Sequence, residues 1–144
     1  MEHLAIMRKS WGLLPKILSG EKIIESRWYK NKYSPSGKIN KEDIVYFKNS
    51  GEPVSVKAIV SDVLAFSDLT PKKVSEILNE WGQKDGIVRS DIDKYYEMFR
   101  DKKYCLLIFL KQPEKITPFE ISKKGFGAMA AWITVNNIAD IRTL

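Results

Sequence analysis

The sequence predicts an α+β domain in which five or six strands close into a small mixed β-barrel around a two-helix insertion. Three observations predict it. Segments rich in Val, Ile and Tyr show strand alternation, as in Val45/Phe47 and Val54/Val56. Between the strands, Thr70-Pro71 and then Ser90 open two runs whose apolar residues recur at helical spacing. No repeat and no long linker interrupts the chain, so residues 1–144 read as a single domain with one substantial core. Strands on both sides of paired helices give α+β layering. Curling those strands into a barrel removes their exposed edges.

Taken in order, Leu4–Met7 reads as a first short strand, followed by Arg8, Lys9, Ser10 and Trp11. Pro15 suits the first position of a short helix, where its missing N–H costs nothing. Leu14, Ile17 and Leu18 share one side of that helix, and Gly20 ends it in a left-handed conformation. A strand then runs from Ile23 to Tyr29. The lysine- and breaker-rich segment 30–38 is a loop. Ile44–Lys48 and Val54–Phe66 are strands joined by the tight connection Asn49-Ser50-Gly51-Glu52.

The first inserted helix carries Val74, Ile77, Leu78 and Trp81 and stops before Gly82. Ser90 with Asp93 resembles a capping box, opening a second helix with Ile92, Tyr95, Tyr96 and Phe99 facing inward. Trp81, Tyr95 and Phe99 are expected in the core. Lys103–Leu110 is the most apolar strand and is expected at the centre. Lys111-Gln112-Pro113 separates it from a further strand, Lys115–Ser122, broken by Pro118. Lys123 to Gly127 form a glycine-flexed basic loop around Phe126. Beyond Ala128–Val135, Ile138 and Ile141 belong to a last short helix or strand.

Composition bounds the chemistry. At 44% hydrophobic and 29% charged, the chain is an ordinary globular sequence. No apolar run is long enough to cross a bilayer and the start lacks a signal pattern, so a cytoplasmic protein without membrane contact is expected. The single cysteine, Cys105, lies in an apolar run and reads as a buried structural thiol. The single histidine, His3, falls near an expectedly loose terminus. With so few ligands, neither a zinc site nor Ser-His or Cys-His catalysis is expected, and no cofactor is called for. The stretch from Asp62 to Asp101 carries −3, with nine acidic and six basic residues, against +6 for the whole chain and therefore +9 for the rest. That asymmetry predicts one basic face, which would attract phosphates.

The most informative stretch is Gly20 to Arg27. In a strand, Glu25 and Arg27 point one way while Ile24 and Ser26 point the other. Lys22 lies at the turn, free to swing toward the two charged side chains. Residue by residue, an ordinary surface ion pair explains this pattern. Taken together, Gly20, Lys22, Glu25 and Arg27 fill Gly-x-Lys-x-x-Glu-x-Arg, which resembles the signature of the ASCH domain family, in the RNA-associated PUA-like β-barrel superfamily. Trp11 and the Pro15–Ser19 stretch resemble its lead-in. The segment Lys123 to Met129 resembles that of an archaeal branch. The resemblance extends over most of the chain and implies an ASCH/PUA-like fold for 1–144.

Two functions follow as expectations, and the residues do not choose whether the protein is an enzyme. The first is binding of RNA or a modified nucleotide. Lysines meet phosphates and aromatic faces stack unpaired bases. The candidate residues are Lys9, Ser10, Trp11, Lys22, Arg27, Trp28, Tyr29, Lys30 and Lys32, joined by Lys123, Lys124 and Phe126; Trp11 and Trp28 read equally well as core. The second is hydrolysis of a modified nucleoside or of RNA by Lys22, Glu25 and Arg27. A lysine beside an arginine and away from water is pushed toward neutrality, whereas Glu25 would keep it protonated. In the resembled family, one branch hydrolyses N4-acetylcytidine with a motif lysine, a threonine and a downstream glutamate, and another has been linked to RNA cleavage. Lys22 matches the lysine. Glu25 stands where the threonine would be, which removes that nucleophile, and neither Thr70, Glu76 nor Glu80 aligns clearly as the partner. A protein-interaction role for the acidic helical section has no specific feature behind it.

Overall fold

The computed structural model describes residues 1–33 and 35–143. Ser34, inside the expected 30–38 loop, and Leu144 lie outside the described residues. Seven strands form one mixed sheet: β1 (Glu2–Met7), β2 (Ile24–Tyr29), β3 (Ile44–Asn49), β4 (Val54–Phe66), β5 (Tyr104–Ile121), β6 (Trp132–Val135) and β7 (Arg142–Thr143). The order across the sheet is β2-β5-β4-β3-β1-β6, with β7 added along β5. All pairings are antiparallel except β1 with β3. The sheet curls into the barrel-like α+β arrangement the sequence predicts. Its two end strands approach without a ladder between them among the described residues. Arg27 bridges the seam, its Nη1 donating to the Ala131 carbonyl just ahead of β6 at 3.3 Å.

Alternation along β5 explains why its sequence is apolar on both faces. Leu106, Ile108 and Leu110 point into the barrel with Val45, Phe47, Val56, Ala58 and Val60. Cys105 and Leu107 point outward and meet the inserted helices. Helix α1 (Leu13–Ser19) caps the barrel interior through Leu13, Leu14 and Ile17. It starts two residues before Pro15, so the proline falls within the first turn, where no intrahelical donor is lost. Gly20 ends it at φ 82°, donating its N–H to the Ile17 carbonyl. Helix α2 (Pro71–Trp81) is capped by Thr70, whose hydroxyl accepts the Lys73 N–H, and buries Val74, Ile77 and Leu78 against the outer face.

Two local expectations are corrected. The Ser90/Asp93 capping box does not form: a 3-10 turn, Arg89–Asp91, leads directly into α3 (Ile92–Phe99), and no side chain caps it. The two expected strands after Lys103 are one. Its pairing with β4 shifts register opposite Lys111–Glu114 and again opposite Lys115–Phe119, so Pro113 and Pro118 sit at irregularities where a ladder donor is not needed. The chain ends with both of the alternatives left open, a 3-10 turn at Ile138–Asp140 and then β7. Cys105 is buried, and burial pushes its thiol well above the ordinary range.

His3 is not loose. It is fully buried on β1, with Nε2 at 2.9 Å from Asp43 and Nδ1 close to both Thr134 and the Trp132 indole nitrogen. An indole N–H only donates, so Nδ1 is the acceptor and the proton resides on Nε2, bonded to Asp43. Burial holds the His3 pKa below its ordinary 6.5, although Asp43 pulls the other way and the N-terminal ammonium adds to the depression. The unfolded chain therefore binds the proton first, and stability is lost as pH falls below about 6.5. Asp43, itself lowered from 3.8 against the cost of its own burial, contributes a similar loss only in stronger acid. Thermal unfolding should thus shift downward between pH 7.5 and 5. His3→Gln should be less stable at neutral pH but show a flatter pH dependence over that interval; an equally steep profile would contradict the assignment.

Candidate nucleotide-binding cleft

β2 is an end strand of the sheet, so one of its edges has no strand partner. As expected, Glu25 and Arg27 share one face of β2, the two bonded to each other, whereas Ile24 and Trp28 join the helical layer on the other. Lys22 wraps around the edge and reaches both sides. The resulting cleft, about 360 Å³, is lined by Lys22, Glu25, Ser26, Arg27 and Trp28 with Trp11, Tyr95, Phe99 and Asp85. Arg8 and Lys102 stand on its rim.

Asp85 is the residue that sequence reasoning missed. It lies in the turn after α2, where Gly86 adopts φ +81° with Lys22 side-chain atoms 3.2 Å from where a Cβ would stand. Only glycine fits that backbone and that approach. The Asp85-Gly86 turn was the available signal, but nothing local says which strand it faces. In the fold, Lys22 Nζ donates to the Ile24 and Asp85 carbonyls, both at 2.6 Å, and to Asp85 Oδ1 at 2.5 Å, with Glu25 Oε1 at 3.2 Å. The other Asp85 oxygen accepts from the Ser26 hydroxyl, and Ser26 Oγ accepts from the Trp28 indole N–H at 3.1 Å.

Four acceptors surround three ammonium hydrogens, so Lys22 is saturated and immobile. Burial opposes its charge, but Asp85 and Glu25 outweigh burial and raise its pKa above the ordinary lysine value. This resolves the opposition posed by the sequence in favour of a protonated lysine. Burial raises the Asp85 pKa, with Glu25 adding to it and Lys22 opposing. Arg27 bonds Glu25 through Nη2 at 2.8 Å and lies 5.0 Å over the Trp132 ring. Its Nε is buried without a partner among the described residues.

The aromatic residues form two walls. Trp28 stacks on Phe99 at 4.8 Å, nearly parallel, and Trp11 meets Tyr95 edge-on at 5.7 Å. Trp11 is half-buried and Arg8 lies over its ring. Tyr95 and Phe99 do pack against the outer core, as expected, but they also face the cleft. Trp81 packs against Phe109 outside it.

Of the residues singled out in sequence, Trp11, Lys22, Glu25, Arg27 and Trp28 converge here. The others do not line the cleft. Lys9 is exposed and paired with Glu52, and Ser10 is exposed beside it. Tyr29 and Lys32 line a separate hollow of about 130 Å³ beyond the end of β2, and Lys30 is exposed between them. Lys123 bonds the Ala128 carbonyl, while Lys124 and Phe126 are exposed on the same loop. That loop reaches the cleft only at its far end, Ala131. Among the described residues, no group of three or more His, Cys, Asp or Glu side chains is arranged to hold a metal ion. No helix there is long and apolar enough to cross a membrane.

A curled mixed sheet plugged by a short helix and flanked by a helical insertion defines a PUA-like α+β domain. No family model and no curated protein matches the sequence. Solved structures do match the fold. The ASCH protein of Zymomonas mobilis superposes with a TM-score of 0.67 at 12% identity, over 99% of this chain and 96% of that one. The N-terminal domain of Staphylothermus marinus McrB superposes with a TM-score of 0.51 at 16% identity, over 83% of this chain and 76% of that one. The chain therefore has the ASCH/PUA-like fold; at these identities the likeness extends to the fold alone.

Proposed function

We propose that the cleft binds an unpaired base of RNA or a modified nucleotide. The observation that carries this reading is the arrangement of two aromatic walls around a floor whose charges are already paired. Lys22 is saturated and Arg27 is engaged by Glu25, so the floor offers hydrogen-bonding edges rather than a spare cation for phosphate. A base edge suits the floor, and its faces suit Trp11 and the Trp28–Phe99 wall. Phosphates then fall at the rim, near Arg8 and Lys102. Lys9, Ser10, Tyr29, Lys30, Lys32, Lys123, Lys124 and Phe126 become outlying contacts for a longer strand rather than parts of the pocket. The cytoplasm as working compartment, and kinship with the archaeal branch through Lys123 to Met129, belong to this same proposal.

The experiment is a titration of a short single-stranded RNA at several salt concentrations. Two rim phosphates predict a log–log slope of about −1.4, since each neutralised phosphate on a single strand contributes about −0.7. Absent or salt-independent binding would reject the reading. The hydrolytic alternative through Lys22 and Glu25 changes character, because a lysine held protonated serves as an electrostatic anchor and not as a general base.

A further inference from the structure

We infer that His3 is a positioning residue for the cleft: while neutral it fixes Trp132 beneath Arg27, and protonation at Nδ1 releases both. The inference rests on the proposed function and deepens it, because it makes occupancy of the same cleft depend on pH.

The link follows from strand register. β1 pairs antiparallel with β6, setting His3 opposite Thr134 and Ala5 opposite Trp132. Side chains two apart on a strand share a face, so His3 meets Thr134 directly and Trp132 on the diagonal. Neutral Nδ1 has one lone pair, and the Trp132 indole N–H takes it at 3.1 Å. That bond holds the two rings 5.6 Å apart, and Arg27 lies 5.0 Å over the Trp132 ring. The carbonyl of the preceding residue, Ala131, accepts from Arg27 Nη1. Arg27 thus leans on two neighbouring residues whose placement His3 sets, and both Arg27 and Ala131 line the cleft.

Protonation changes the partners. A proton on Nδ1 turns it into a donor, which then confronts the indole N–H, a group that can only donate. Thr134 Oγ1, 3.0 Å from Nδ1, is already in place to accept from the charged ring. The imidazolium therefore exchanges Trp132 for Thr134. The buried indole N–H is left without an acceptor, which drives its ring to turn and withdraws the face beneath Arg27.

Few charges act on His3. Asp43, from the connection before β3, accepts the Nε2 proton, and the N-terminal ammonium lies 3.4 Å from Asp43. Val45 stands opposite His3 on β3, and Thr134 and Trp132 meet it from β6; none of these three titrates. Glu2, beside it on β1, belongs to the other face and accepts the Ile138 N–H. Burial keeps the ring neutral at pH 7.5, so the exchange occurs below the ordinary 6.5. A ligand that holds Arg27 on Trp132 favours neutral His3, so affinity falls as pH drops through the folded-state pKa.

The first arm of the test needs no ligand. In nitrogen–proton correlation spectra from pH 7.5 to 5, the Trp132 indole and Arg27 Nε–H signals should move with the midpoint of the His3 ring, while the Trp81 indole stays. Trp132→Phe keeps a ring beneath Arg27 but removes the N–H, so the Arg27 signal should stop following His3. A His3 ring that stays neutral until circular dichroism reports unfolding, or an Arg27 signal that ignores His3 in the unaltered chain, would overturn the inference. In the second arm, affinity for short single-stranded RNA at fixed ionic strength should fall at least about fivefold over the same interval, the lower end of ordinary coupling between sites. His3→Gln should flatten that fall. An equal fall in His3→Gln would assign it to Asp85, whose carboxyl pKa burial raises, and would also overturn the inference. RNA binding absent at every pH would reject the proposed function alone, and the first arm would still decide the role of His3.

Discussion

Replacing Asp85 with alanine is expected to lower the free energy of unfolding by about 3–5 kcal/mol, the usual cost of breaking a buried ion pair from one side. Lys22 is 2% exposed and would keep only Glu25 as a charged partner, at 3.2 Å. Ser26 would lose the acceptor for its hydroxyl in the same change. The double variant Lys22→Met/Asp85→Leu should recover much of the loss, because it removes both members of the Lys22–Asp85 pair and leaves Glu25 paired with Arg27. Urea unfolding of the three proteins provides the comparison. A loss under about 1 kcal/mol for Asp85→Ala would mean that Lys22 finds water, which is incompatible with the saturated geometry.

The second large effect concerns binding. Trp11→Ala should weaken single-stranded RNA by about 1–3 kcal/mol, the range for removing one base-stacking ring. Trp11 sits on a short turn and is only half-buried, so the fold should survive. Arg27→Ala should weaken binding by a comparable amount, about 1.5–3 kcal/mol for a hydrogen bond to a charged group. Lys30→Ala, beyond the cleft, should alter affinity far less and mainly at low salt. Fluorescence anisotropy at fixed salt separates these outcomes. Equal losses at Lys30 and Arg27 would indicate diffuse electrostatic attraction instead of a pocket.

How much of this was legible follows from where each interaction originates. The alternation that sends Glu25 and Arg27 to one side is a property of six consecutive residues, and it was visible in the sequence. So were the left-handed stop at Gly20, the Thr70 cap and the two-helix insertion. Asp85 was not, because its partnership with Lys22 spans 63 positions and is created by packing the helical insertion against an end strand. His3 misled for the same reason. A lone histidine near a terminus gives no hint that Asp43 and Trp132 will enclose it from two other parts of the chain. The patch expected from charge extends beyond the cleft. Lysine composition marks a basic surface, whereas the cleft is defined by aromatic rings and by charges that neutralise one another.

The central claim is that a ligand enters between the Trp11 and Trp28 walls. The four tryptophan side chains report on it separately through their indole N–H signals in a nitrogen–proton NMR correlation spectrum. On addition of short single-stranded RNA, the Trp11 and Trp28 signals should move and that of Trp81, packed outside the cleft on Phe109, should stay. Movement at Trp81 with Trp11 and Trp28 unchanged, or no movement at all at saturating RNA, would contradict the account.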